Sequence, residues 1–340
     1  MRTRTTAMHV VIQQDPYNAE TPLEVLAEEI TPTESFFVRC HFGIPLLDLR
    51  TWHLEVEGAV RHPLRLSLSD LQALAHRAVV VTLECAGNGR ALVDPVPSGV
   101  PWKLGAVGTA CFVGVPLHHV LQQVGLLPGA VEVLFVGADA GEVEPGRREA
   151  FARSLPVDVA LGSDVLLAWA MNGRPLRPEH GFPLRLVVPG WYGMASVKWL
   201  SRIVVLTEPF RGFFQTERYV YANGAVEPVT RIRVRSLIVH PQDGARLPEE
   251  PADVLGIAWS GYGPIREVLF SADGRESFDE ADLLAAPGPH AAVRWHVRWV
   301  PPRAGTYTLT ARAADVAGHT QPRSPYRLCH TIRVTVGEPS

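Results

Sequence analysis

The apolar positions of this chain fall mostly into short runs that alternate with polar ones, the signature of strands with one buried face. From Trp52 to Leu66 the alternation (Leu54, Val56, then Gly58) predicts a half-buried strand, and Ser67-Leu68-Ser69-Asp70-Leu71 carries the capping residues of a helix start. Val79 to Leu83 is a run of strand formers. Val131 to Gly137 is another, with a polar, glycine-bearing loop expected after it as far as Arg148. Residues 165–172 read as a further strand, which Asn172-Gly173 turns tightly into Arg174-Pro175-Leu176. Pro116 to Gly125 opens at a proline and closes at a glycine, as a helix does. Trp102-Lys103-Leu104-Gly105 reads as strand and turn, and residues 15–50 as extended chain with a short helical piece from Leu23 to Glu29.

From Thr207 to Thr230 the pattern loosens into a linker-like, aromatic stretch that includes Phe210, Phe213, Phe214, Tyr219 and Tyr221. Alternation then returns in short pieces: Ile232, Val234 and Leu237; Val254, Ile257 and Trp259; Val293, Trp295 and Val297; Tyr307, Leu309 and Ala311. Turn signals separate these pieces, which describes an antiparallel sandwich. With 340 residues, 46% hydrophobic and 20% charged, the chain suits two globular domains. We place the boundary between residues 225 and 226.

Charge and cysteine usage narrow the function classes. A net charge of -3 offers no basic excess for nucleic acid, so anion binding has to come from local arginine clusters. No apolar run approaches the roughly 18 residues that would read as a membrane span. The N-terminal stretch Met1 to Val10 lacks the apolar core of a signal peptide, so the expectation is cytoplasmic for the chain as it stands, and periplasmic if a leader was removed. Cys40, Cys85, Cys111 and Cys329 are too scattered for a disulfide framework, which fits a reducing compartment. Cys111 is read as a core residue.

The candidate chemistry centres on Val79 to Arg90, V-V-V-T-L-E-C-A-G-N-G-R. A strand delivers one soft ligand, Cys85, to a glycine-bearing turn, and Arg90 follows as a cation placed to meet an anion. A cysteine in such a place is most often an inert core residue. The dinucleotide fingerprint fails, because Leu92 stands at the third glycine position and no acidic residue lies near 20 residues on. A zinc site is disfavoured by the absence of any C-x-x-C or H-x-x-x-H pair. Further on, His180 and Arg185 flank Gly181-Phe182-Pro183, with Ser196 and Lys198 one strand later. That set offers the directional donors and close backbone approach that a phosphate requires.

Thr82-Leu83-Glu84-Cys85-Ala86-Gly87-Asn88-Gly89-Arg90 resembles the cysteine loop of the sulfite oxidase family of mononuclear molybdenum enzymes. Four further stretches resemble family motifs in the family's order: Ser35 to His41, Gly105 to Leu117, His180 to Arg185, and Val188 to Leu200. The likeness covers roughly residues 18 to 210. It implies an α+β fold, in which a mixed α/β molybdopterin-binding catalytic domain (1–225) precedes an Ig-like antiparallel β-sandwich used for dimerisation (226–340). It implies a molybdenum-molybdopterin cofactor, with Cys85 as the metal ligand. Phe37, Arg39, His41, His180, Arg185, Ser196 and Lys198 would hold the pterin and its terminal phosphate. Arg39 and Arg90 would orient a small anionic substrate.

Two departures from the family pattern stand out. Cys40 occupies a position where asparagine is commoner, and Phe151 stands where we align an active-site tyrosine, so a catalytic hydroxyl is expected to be missing, with Arg153 as a partial substitute. The implied activity is oxidation of sulfite or a related sulfur oxyanion to sulfate. Reduction of a sulfoxide or nitrate is the alternative that Phe151 leaves open, and a non-catalytic binding protein is a third. The sandwich favours the oxidase branch, since the sulfoxide-reducing relatives lack it. No haem, flavin or nicotinamide motif is evident, so an external electron acceptor such as a cytochrome is expected, together with a homodimer formed through the C-terminal domain.

Overall fold

The computed structural model describes residues 8–221, 227–274, 277–321 and 330–337. Three short strands, β1 (Val10–Gln13), β2 (Asn18–Glu20) and β3 (Val38–Arg39), form a small antiparallel sheet. β4 (Leu54–Gly58) and β5 (Leu64–Leu66) pair antiparallel, and Leu54 and Val56 are fully buried while Glu55 faces solvent. Helix α1 (Leu68–Gln72) starts at Ser67, whose hydroxyl accepts from Asp70 N while the Asp70 carboxylate accepts from Ser67 N. That reciprocal capping box satisfies two otherwise orphaned donors.

β6 (Arg77–Glu84) pairs antiparallel with β7 (Val107–Pro116), and α2 (Leu117–Val124) follows with Pro116 as its cap. β8 (Glu132–Glu144) and β9 (Arg147–Pro156) make one long hairpin, so the loop expected from 138 to 148 is mostly strand. Its polar residues belong to a solvent face, with Glu142 and Glu144 exposed around a half-buried Val143. After α3 (Val157–Ala160) come β10 (Leu166–Met171) and β11 (Arg174–Pro175), joined by Asn172 and Gly173 at φ 51° and 76° as a tight hairpin demands. β12 (Arg185–Val187) pairs with β10, β13 (Leu200–Leu206) lies between β4 and β8, and α4 (Phe213–Thr216) closes the unit. The result is two five-stranded sheets connected by short helices. Two local expectations are corrected. Trp102 to Gly105 is irregular chain that hydrogen-bonds the cysteine turn through Ala91 N and Gly89 N, and Cys111 is half-buried on β7.

The second unit is a β-sandwich. One sheet has the order β14 (Arg235–His240), β16 (Ala252–Trp259), β20 (Val293–Trp299), β19 (Asp282–Leu283). The other runs β15 (Arg246–Leu247), β22 (His330–Val336), β21 (Gly305–Asp315), β17 (Ile265–Ser271), β18 (Asp279–Glu280). Val254, Trp295, Leu309 and Ile332, drawn from both sheets, are packed in one core. One pairing departs from the antiparallel expectation, since β15 runs parallel to β22. The proposed boundary at 225/226 and Cys329 lie outside the described residues. Among the described residues no helix is long and apolar enough to cross a membrane.

Candidate active site

β6 ends at Glu84, and Cys85 stands at its tip. Cys85 N donates to Ala106 O at 2.9 Å, Asn88 N donates to Cys85 O at 2.9 Å, and Gly87 N points at the Cys85 sulfur from 3.5 Å. The turn leaves Gly89 at φ 89°, left-handed territory that glycine enters without strain. That twist also decides the fate of Arg90, which opens a 3₁₀ turn and folds back over Gly87 and Gly99 to donate to Val100 O at 2.8 Å. Arg90 is thereby turned toward Val100, and it is not among the residues that line the cavity at Cys85.

Cys85 lines a cavity of about 60 Å³. Phe37, Arg39, His41, Phe151, His180, Arg185, Ser196 and Lys198 line it too, whereas Arg90, Cys40 and Arg153 are not among its lining residues. Its cations are held by backbone carbonyls. Arg185 donates to His180 O at 3.1 Å and Ser196 O at 3.3 Å, and burial pulls its guanidinium down to about 10, still protonated near neutrality. Lys198 Nζ donates to Glu179 O at 2.8 Å, lies 3.3 Å from Cys40 Sγ, and sits 4.2 Å from the Trp199 ring centre. Burial lowers the Lys198 amine from its ordinary value. Burial also lowers His180 to about 3. Its ring is thus neutral, and with Nε2–H donated to Thr33 O at 3.0 Å its Nδ1 is left as an acceptor.

The far wall is aromatic. His41 stacks on Phe151 with ring centres 4.5 Å apart, and Phe214 packs against both. Burial first, then the neighbouring charges of Arg39 and Lys198, holds His41 well below the usual histidine range. Its Nε2 shares a 2.6 Å hydrogen bond with the Tyr219 hydroxyl, which lines the cavity and whose pKa burial raises. A tyrosyl hydroxyl is therefore present on this wall, supplied by Tyr219 from beyond α4, while Phe151 itself contributes only a bare ring to the cavity. Arg153 does not substitute for a hydroxyl there, since its guanidinium is spent on the carbonyls of Phe214 and Val229.

Asp139 is a second cavity residue that the sequence reading passed over. It sits in a register shift between Val136 and Ala140, a bulge that turns its carboxylate inward. Burial raises it to about 6 against the opposing pull of Lys198, and its Oδ1 has no hydrogen-bond partner. Arg185 Nε is likewise buried without one. Buried polar atoms left unpartnered around three cations are suited to a ligand that brings negative charge and also hydrogen-bond donors.

Residues 41–214 match the oxidoreductase molybdopterin binding domain family. The chain belongs to that family. It is 36% identical to the sulfite oxidase of Gallus gallus over 92% of this chain and 73% of that one. It is 30% identical to nitrate reductase [NADH] 2 of Phaseolus vulgaris over 94% of this chain but only 40% of that enzyme. Among solved structures, the sulfane dehydrogenase SoxCD of Paracoccus pantotrophus superposes with a TM-score of 0.84 at 27% identity, covering 100% of this chain and 90% of that one. The protein is thus an enzyme of the sulfite oxidase type with an α+β fold, and its cofactor is molybdenum-molybdopterin. The cavity fits that group: a soft thiol, buried cations of the kind a phosphate pairs with, and unpartnered polar atoms line it.

Proposed function

We propose that this molybdopterin enzyme oxidises sulfite, or a closely related sulfur oxyanion, to sulfate and passes the electrons to an external acceptor such as a cytochrome. The observation that carries the reading is the convergence of Cys85, the half-buried Arg39 and the Tyr219 hydroxyl on one cavity. The bound cofactor supplies the oxo transfer and takes up two electrons. Cys85 would hold its metal as a thiolate, Arg185 and Lys198 would hold the pterin phosphate, and the acceptor Nδ1 of His180 would take a hydrogen bond from a donor on the pterin. Arg39, held to Asn18 Oδ1 at 3.3 Å and to the Cys40 carbonyl, draws the oxyanion in with a charge-assisted hydrogen bond contributing roughly 1.5 to 3 kcal/mol. Neutral His41 can donate Nε2–H to the Tyr219 oxygen, which frees the phenol O–H to donate to the oxyanion.

A sulfite-like substrate is favoured over nitrate by the higher identity to sulfite oxidase, 36% against 30%, and by the fact that the chain spans 73% of that relative and 90% of the sulfane dehydrogenase but only 40% of the nitrate reductase. Steady-state kinetics on the loaded enzyme test the choice. Sulfite should reduce a one-electron acceptor, and nitrate should not oxidise the reduced enzyme; the opposite pair of results would move the assignment to a reductase. We extend the proposal to a homodimer formed through the sandwich, which sedimentation of the purified protein would confirm or replace by a monomer.

A further inference from the structure

The strand that carries Cys85 is gripped from behind by the sandwich. Thr82 N donates to His290 O at 2.9 Å, and Ala292 N donates to Thr82 Oγ1 at 2.7 Å. Two residues on, the Glu84 carboxylate is 1% exposed and meets three donors. Its Oε1 accepts from Arg235 Nη1 at 2.7 Å and Asn88 Nδ2 at 3.1 Å, and its Oε2 accepts from Trp259 Nε1 at 3.0 Å. Arg235 also donates to Asn88 O at 3.1 Å, and its Nη2 lies 2.9 Å from where a Cβ on Gly89 would sit. The bare face of Gly89 is what admits the guanidinium.

We propose that Arg235 and Trp259 are positioning residues for the Cys85 thiolate, so that docking of the sandwich sets where the sulfur points. Both come from strands of the sandwich, β14 and β16, and they fix the residues on each side of the turn, Glu84 before it and Asn88 after it. Only Cys85, Ala86 and Gly87 lie between the two clamps. A turn built with glycines has little stiffness of its own, so its shape is borrowed from what holds its ends. A buried ion pair resists sliding, because displacing one partner strands the other charge away from water. The sandwich thereby acts on the metal ligand as well as on any partner subunit.

The inference rests on the reading of Cys85 as the metal ligand, and two measurements keep the two claims separable. The first is the rate at which iodoacetamide alkylates Cys85 in cofactor-free protein, followed by peptide mass spectrometry. The second is molybdenum content together with the Mo(V) paramagnetic resonance spectrum of the loaded enzyme. Trp259→Phe removes one hydrogen bond at nearly constant volume, Arg235→Gln removes the charge, and Arg235→Lys is the conservative replacement. Alkylation should quicken about 10-fold in Trp259→Phe and Arg235→Gln, with a partial return in Arg235→Lys, and the spectrum should shift at unchanged molybdenum content. Wild-type rates and spectra in folded variants would make the network merely structural and overturn the proposal. Should Arg235→Gln fail to fold, Trp259→Phe decides alone. A wild-type protein that holds no molybdenum would sink the metal-ligand reading, while the alkylation rates would still decide the positioning role.

Discussion

Arg39 is half-buried and Arg185 fully buried, and their removal should fail in different ways. Arg39→Met is expected to raise the KM for sulfite about 10- to 100-fold at unchanged molybdenum content, the loss of one charge-assisted hydrogen bond. Arg90→Met should change KM much less, because Arg90 donates to Val100 O and does not line the cavity. Equal effects of the two would restore Arg90 to the substrate site. Asp139 gives a pH signature. Its folded pKa, about 6, lies above the ordinary 3.8, so between about pH 4 and 6 the folded chain holds a proton that the unfolded chain releases. Stability from this group is therefore lost as pH rises through that window. Urea unfolding of cofactor-free protein should show Asp139→Asn gaining about 2 to 3 kcal/mol on the wild type between pH 4 and pH 7. A gap that does not change with pH would refute the raised pKa. That Cys85, His180, Arg185 and Lys198 share one cavity was legible in sequence because each sits in a short motif of glycines and cations. Tyr219 was not, because it lies among several aromatics with no period, and only the return of the chain over His41 singles it out.

The elements were legible where one face is buried and the other wet. β4, α2 and the Asn172-Gly173 hairpin follow from alternation, a proline cap and left-handed turn residues. The outer half of the β8–β9 hairpin was not, because its stability comes from pairing with a partner strand rather than from apolar side chains. The bulge inside it shapes the site. A Cβ on Gly137 would lie 2.4 Å from Asp139 Oδ1 and 2.9 Å from Lys198 O, so the bulge closes only around glycine. Gly137→Ala should push Asp139 and Lys198 apart and lower the molybdenum content of purified protein several-fold while the circular dichroism spectrum stays that of the wild type. Full molybdenum occupancy in that variant would show that the bulge does not shape the cofactor pocket.

At the scale of the molecule, the sandwich was foreseen from its short alternating runs, but its grip on the catalytic unit was not. Nothing in local pattern ties Glu84 to Arg235, 151 positions away. That buried pair, with the Thr82 and Trp259 bonds, predicts that the two units unfold together, in a single urea transition seen alike by tryptophan fluorescence and far-ultraviolet dichroism. Two resolved transitions would show the units to be independent. The central claim is that Cys85, at the tip of the gripped strand, holds molybdenum in a sulfite-oxidising site. The measurement that reaches it most directly is molybdenum analysis of wild type and Cys85→Ser, expressed in a host that makes molybdopterin, coupled to sulfite-dependent reduction of a one-electron acceptor. The account predicts about one molybdenum per chain with sulfite turnover in the wild type, and no turnover in a folded Cys85→Ser protein. Sulfite oxidation by Cys85→Ser at the wild-type rate would contradict it.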